Sequence, residues 1–254
     1  MRKKSIKVPD INIEASVVSA KNVFKTYRSG DLSVPALRGV NLDIQAGEFV
    51  AVVGPSGNGK STLLNCLSGI DTIDSGSVEI AGHDIFKVRD SKRTALRASL
   101  MGFIFQSFNL IPVFNAVENV EMPLLATGVK PAIARKKAIK MLNQVEIGHR
   151  WAHRPSELSG GEQQRVAIAR ALVPEPSIIW ADEPTGNLDS VTADLIVDLL
   201  KEVNSKGQTV VVVTHDRSIA ADAQRVVQVK DGLIASDQIQ TDGIKKLVDS
   251  TSEV

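Results

Sequence analysis

The sequence predicts an α/β fold: a mainly parallel sheet covered by helices, with an antiparallel β part at the N-terminal end. Three observations carry this. First, the runs Phe49 to Val53, Ile178 to Ala181 and Val210 to Val213 are continuously apolar and strand-length, as expected of strands buried on both faces. Second, each run ends at a polar cluster: Gly54 to Ser61, Asp182-Glu183, and Thr214-His215-Asp216. Ligands of open α/β sheets bind at the carboxyl ends of the strands, so three clusters far apart in the chain are predicted to converge. Third, Val40, Leu42 and Ile44 alternate with Asn41, Asp43 and Gln45, and Val78 and Ile80 repeat this more briefly. That period of two predicts half-buried strands in a small antiparallel sheet.

Helices fill the gaps. Ile196, Leu199, Leu200 and Val203 share one helical face, as do Ala138, Met141, Leu142 and Val145 after Pro131. Both stripes read as core packing. The chain of 254 residues suits one large domain, with 43% hydrophobic and 23% charged residues. Its limits are read as 17–233, with an N-terminal tail 1–16 and a C-terminal tail 234–254. The net charge of +1 offers no basic excess, so no nucleic acid partner is expected. One cysteine excludes an intrachain disulfide, and a reducing compartment is the default. No apolar run approaches the ~20 residues of a membrane-spanning helix. The charges of Met1 to Asp10 have no apolar stretch behind them, so no signal peptide is expected. The chain is not expected to enter a membrane by itself.

The first cluster, Gly54, Pro55, Ser56, Gly57, Asn58, Gly59, Lys60 and Ser61, followed by Thr62, fits G-x-x-x-x-G-K-S/T. The glycines let successive N–H groups turn toward phosphate oxygens, and the following helix adds its positive end. Lys60 can reach the β- and γ-phosphates, and Ser61 can offer its hydroxyl to Mg²⁺. A plain glycine-rich turn is the alternative, but at ordinary composition such a match arises by accident in on the order of 1% of chains this long. The motif predicts a P-loop NTPase core. Cys66, in the helix after the loop, reads as a small buried residue rather than a reactive one.

In the second cluster, Asp182 is placed to hold Mg²⁺ or its waters, and Glu183 to orient and deprotonate an attacking water. Trp180, in the strand before them, is expected to need a partner for its indole N–H. His215 ends the third run, where a γ-phosphate is expected. His83, His149 and His153 lack metal-ligand spacing and are assigned no role.

The segment Leu158 to Leu172 separates this chain from other phosphate-loop proteins. Ser159 and Glu162 form a capping box at a helix start, and Gly160 and Gly161 leave backbone N–H groups bare there. That is a second anion site. One nucleotide does not need two such sites from one chain, whereas two chains facing head-to-tail would each lend one to the other.

These residues resemble the ATP-binding cassette of ABC transporters. The resemblance rests on Tyr27, the phosphate loop, Gln106, Leu158-Ser159-Gly160-Gly161-Glu162, Asp182-Glu183, Gly186 to Asp189, and His215, in that order, and runs from about residue 17 to 233. It implies a helical signature subdomain, about 107–160, inserted in the core. It implies that Tyr27 stacks on adenine, that Gln106 touches Mg²⁺ and senses a membrane partner, and that Ser159, Gly160 and Gly161 bind the γ-phosphate of the opposite subunit's ATP. Asp189 would communicate across the dimer, and His215 would hold the γ-phosphate and the attacking water. Gly102 to Pro112, Glu118 to Leu124 and Asp182 to Ser190 further resemble the MacB/LolD-like group, which implies a homodimer driving separate transmembrane permease subunits at the cytoplasmic face of the membrane. Two other functions also use a phosphate loop. A soluble ABC ATPase acting on DNA or ribosomes typically carries a long coiled coil between the phosphate loop and the signature, or two cassettes in one chain; only the stretch from Gln106 to Leu158 separates the corresponding motifs here, and it has no heptad run. A phosphotransferase would not need Leu158 to Glu162.

Overall fold

The computed structural model describes residues 16–240. The tails read at 1–16 and 234–254 therefore lie largely outside the described residues. In chain order the elements are β1 (Ser16–Ser29), β2 (Leu32–Gln45), β3 (Phe49–Val53), α1 (Lys60–Leu67), β4 (Ser75–Ile80), β5 (His83–Asp84), α2 (Asp90–Leu100) and β6 (Met101–Phe105). A helical stretch follows, with α3 (Ala116–Ala126), α4 (Pro131–Gln144) and α5 (Gly160–Leu172). The chain then returns through β7 (Ile178–Asp182), α6 (Ser190–Ser205), β8 (Thr209–Val213), α7 (Arg217–Asp222), β9 (Arg225–Lys230) and β10 (Leu233–Ile239).

The three apolar runs are β3, β7 and β8, and they are neighbours. The larger sheet has the order β10-β9-β3-β8-β7-β6, parallel throughout except for β10. Successive residues of each strand enter opposite cores. Phe49, Ile179, Ala181, Val210 and Val212 join the core under α3 to α6, while Val50, Val52, Ile178, Trp180, Val211 and Val213 join the core under α1 and the second sheet. Double-sided burial explains why these runs show no alternation.

The second sheet is antiparallel, with order β2-β1-β4-β5. Val40, Leu42 and Ile44 are buried, and Asn41, Asp43 and Gln45 face out, as their alternation predicts. His83 lies in β5.

The helical layer leaves the sheet after β6 and returns at β7. Its segments are joined by polar contacts. Arg135 of α4 makes a two-pronged pair with Glu121 of α3, at 2.6 and 2.8 Å. The fully buried Asn119 holds the loop before α3 through Ile111 N (2.7 Å), Ile111 O (3.2 Å) and Phe114 O (3.1 Å). The boundary read at about 160 falls at the first residue of α5, which runs on to Leu172.

Two expectations need correction. Residues 234–239, placed in the C-terminal tail, belong to β10, which pairs with β9. The strand is an exposed sheet edge with little apolar patterning, so the sequence hides it. Backbone pairing and the Arg225–Asp237 ion pair, with oxygens 2.6 and 2.7 Å from the guanidinium, hold it in place. Trp180 is fully buried, and its indole N–H has no hydrogen-bond partner among the described residues. The ring belongs to the apolar cluster of Leu63, Leu67 and Met101. Burying a tryptophan contributes roughly 4–6 kcal/mol, against about 1–3 kcal/mol for an unpaired donor, so packing wins.

Gly102 shows how closely the helical layer meets the sheet. A Cβ there would lie 2.5 Å from the Ala171 carbonyl oxygen of α5. Gly102→Ala is expected to force β6 and α5 apart and to lower stability by about 1–3 kcal/mol, read as a lower urea midpoint.

Candidate nucleotide-binding site

The phosphate loop is shaped by close backbone approach. Gly54 has φ +148, and a Cβ there would lie 2.1 Å from the Val229 carbonyl oxygen of β9. Gly59 has φ +95, and its Cβ would meet the Ala36 carbonyl oxygen at 2.5 Å. No other residue type fits these positions without displacing backbone. The loop ends at the N-terminus of α1, where N–H groups and the helix dipole favour an anion. Lys60 Nζ donates to the Gly54 and Pro55 carbonyls at 2.8 and 3.0 Å, which holds the ammonium inside the loop.

Asn58 carries more structure than its position in the motif suggests. Its Oδ1 accepts from Asp231 N at 2.8 Å, and its carbonyl accepts from Gly232 N at 3.2 Å. The turn between β9 and β10 therefore braces the phosphate loop. The Asp231-Gly232 pair is a hairpin signal that the sequence did offer.

The three strand-end clusters meet. Ser61 Oγ donates to Asp182 Oδ1 at 3.0 Å. Glu183 Oε2 lies 2.8 Å from His215 Nδ1. Glu183 takes the left-handed conformation, φ +47, and its N–H donates to the Val213 carbonyl at 2.9 Å. Burial pushes the Asp182 carboxyl above its ordinary range, and the neighbouring Glu183 adds to this, while Ser61 and Lys60 oppose it. A half-buried carboxylate with a raised pKa beside a serine hydroxyl is an all-oxygen donor set that fits a hard divalent cation such as Mg²⁺.

Gln106 follows β6 directly. Asn187 Nδ2 donates to its carbonyl at 2.9 Å, and a Cβ on Gly186 would meet its Nε2 at 2.7 Å, so the side chain is wedged against the 186–187 turn. Tyr27 is held from the other side. Its hydroxyl donates to Asp71 Oδ2 at 2.8 Å, Lys25 Nζ donates to Asp71 Oδ1 at 2.8 Å, and the same ammonium lies 5.1 Å from the centre of the Tyr27 ring. Burial works to raise the Asp71 pKa, but the hydrogen bonds from Lys25 and Tyr27 hold it below the ordinary value. Asp71 is 44 residues from Tyr27, and nothing in the sequence pairs them.

Tyr27, Ser56, Gly57, Asn58, Gly59, Lys60, Ser61, Thr62, Gln106 and Glu183 line one cleft of about 730 Å³, joined by Arg38 and Asp231, which sequence reasoning missed. Ser159, Gly160, Gly161, Glu162 and Asp189 do not line it. They form a second cluster. Ser159 and Glu162 make the predicted capping box, with Ser159 N to Glu162 Oε2 at 2.8 Å and Glu162 N to Ser159 Oγ at 3.3 Å. Asp189 caps α6 through Thr192 N and Oγ1, at 3.0 and 2.7 Å. A Cβ on Gly161 would lie 2.4 Å from Thr192 Cγ2, so this glycine also permits close packing of α5 on α6.

A glycine-shaped phosphate loop, acidic strand end and oxygen-donor pair together define a nucleoside-triphosphate-binding domain of the phosphate-loop class. The family model described as "ABC transporter" matches residues 37–186, more than half of the chain. A macrolide export ATP-binding/permease protein, MacB of Brucella melitensis, is 46% identical over 228 residues, covering 90% of this chain and 35% of that protein. A lipoprotein-releasing system ATP-binding protein, LolD of Alcanivorax borkumensis, is 46% identical over 225 residues, covering 88% of this chain and 99% of that protein. The solved ATP-binding cassette MJ0796, dimeric in a post-hydrolysis state bound to ADP and Pi, superposes with a TM-score of 0.81 at 46% identity, covering 87% of this chain and 98% of that one. The chain belongs to the ABC transporter family. It spans about a third of the MacB relative and nearly all of the LolD relative. Among the described residues no helix is long and apolar enough to cross a membrane.

The strained charge on Asp182 gives a stability signature. Its raised pKa means that the ionised form opposes folding, fully so above the folded pKa and not at all below the usual carboxylate range. Asp182→Asn is expected to raise the melting temperature of the nucleotide-free chain near neutral pH, with the gain shrinking as pH falls through the carboxylate range. A pH series of thermal melts reads this.

Proposed function

We propose that this chain is the ATP-hydrolysing subunit of a MacB/LolD-type ABC complex, working as a head-to-tail homodimer around two Mg-ATP and driving separate membrane permease subunits from the cytoplasmic face. The observation that carries this reading is the division of the site. The cleft holds Ser56 to Thr62 of the loop and His215's partner Glu183, while the bare helix start at Ser159 to Gly161 lies outside it. One chain then presents two halves of different sites, which a second copy completes. A dimeric form of the similar cassette MJ0796 supports this.

In this reading Tyr27 stacks on the adenine, and Asp71 and Lys25 fix the ring's direction. Backbone N–H groups of the loop and Lys60 hold the β- and γ-phosphates. Ser61 and Asp182, with Gln106 beside them, would hold Mg²⁺, which would neutralise negative charge developing on the phosphates. Glu183 accepts a proton from the attacking water, and His215, within 2.8 Å of it, orients that pair toward the γ-phosphate. Lys60 stabilises the transition state electrostatically. Permease contact falls on the Gln106 to Glu118 region. There Val113 is exposed, and an apolar cleft of about 360 Å³ opens nearby, lined by Phe103, Phe105, Met122 and Pro123. The LolD relative, covered over 99% of its length, is named as an ATP-binding protein, whereas the MacB relative, covered over 35%, is named as an ATP-binding/permease protein, which favours a permease on another chain.

Glu183→Gln is expected to keep ATP binding, lose turnover, and run as a dimer in ATP on gel filtration; a monomer under those conditions would sink the sandwich. Asp71→Ala releases the Tyr27 hydroxyl, so the Kd for ATP should rise by about 3- to 10-fold, the loss of one or two hydrogen bonds' worth of positioning, with kcat at saturation little changed. Fluorescent-nucleotide titration beside steady-state kinetics measures both.

A further inference from the structure

Gln164 is a polar side chain for which the mechanism above has no use. It lies in α5 and is fully buried. Its Nε2 donates to the Pro184 carbonyl, while its Oε1 is buried with no hydrogen-bond partner among the described residues. An unpaired buried carbonyl is destabilising, and an apolar side chain of the same length would fill the space without that penalty. What the glutamine adds is the single bond to Pro184, the residue after Glu183.

That bond reaches a demanding turn. Glu183 sits at φ +47, a conformation that a non-glycine residue keeps only where its surroundings enforce it. Glu183 N donates to Val213 O at 2.9 Å, and Gly186 N donates to Glu183 O at 3.1 Å. Of these restraints and the Gln164 bond, the first two come from the sheet and from the turn itself. The third comes from α5, whose first residues are Gly160 and Gly161, about one helical turn from Gln164.

We propose that Gln164 is a positioning residue that couples the two ATP sites of the dimer. In the head-to-tail arrangement, on which this proposal rests, Ser159 to Gly161 of one chain meet the partner's nucleotide. Glu183 of the same chain serves that chain's own nucleotide. Engagement of the partner's γ-phosphate sets the start of α5, and Gln164 passes that setting to Pro184 and so to the carboxylate of Glu183. Each site is made competent by occupancy of the other.

The test is Gln164→Met, which keeps length and volume and removes the donor. The variant should melt close to the wild-type temperature, because the unpaired oxygen is gone while the Pro184 carbonyl loses its donor. Its KM for ATP and its nucleotide affinity should stay within about twofold of wild type, while kcat falls by about tenfold from misplacement of the base. The wild type should show a Hill coefficient for ATP above 1, and in the variant it should fall toward about 1. Gln164→Asn, one methylene too short to reach Pro184, should show the same loss of kcat and cooperativity. Wild-type kcat and Hill coefficient in Gln164→Met would overturn the proposal. So would a lower kcat with unchanged cooperativity, which leaves Gln164 a local strut. The dimer itself is read separately from Glu183→Gln: a dimer there, with a fully cooperative Gln164→Met, removes only the role of Gln164.

Discussion

Strands β3, β8 and β7 lie side by side in parallel, and their residues are buried on both faces. The rest of the structure depends on that double burial. A slip of one residue in any of the three would carry apolar side chains into the wrong core, so the register is fixed far more tightly than in a sheet with one wet face. Because the strands are parallel and in fixed register, their carboxyl ends form one edge. The phosphate loop, the Asp182-Glu183 pair and His215 are then brought together without any long side chain having to search for the others.

The helical layer is fastened to that edge by polar contacts radiating from α5. Besides the Gln164 bond, Arg170 donates to the carbonyls of Phe108, at 2.8 Å, and Asn109, just beyond Gln106. Burial lowers the pKa of this guanidinium. Arg165 donates to the Val145 carbonyl at 2.9 Å, at the end of α4. The same helix thus touches the turn after β6, the turn after β7 and the neighbouring helix α4. Charged and amide groups do this work where apolar contacts would leave the layer free to slide, since a hydrogen bond has a direction and a hydrophobic contact does not.

Much of the core and the site was legible in the sequence, because the features that build them are local. An uninterrupted apolar run announces a doubly buried strand, a glycine-lysine loop announces a phosphate site, and a serine three residues before a glutamate announces a helix start. What stayed hidden is pairing across distance. Asp71 beneath Tyr27, Asp231 against Asn58 and Asn187 against Gln106 are contacts between residues with no common pattern, created only when the sheets come together. The edge strand β10 was hidden for a different reason: it buries little, so it has no apolar period to reveal it. Gln164 sat inside a motif already read as a helix start and was masked by it.

Cys66 has a practical consequence. It is the one cysteine of the chain, lies in α1 with no exposed surface, and burial pushes its thiol up to about 12. Thiolate is the reactive form, so the native fold leaves this sulfur effectively inert to alkylating and maleimide reagents at neutral pH. The chain is in effect already a cysteine-free background. A single cysteine introduced on the exposed surface, for instance at Val191 near the start of α6, would take a spin label or fluorophore alone, with the α1 core left as it is.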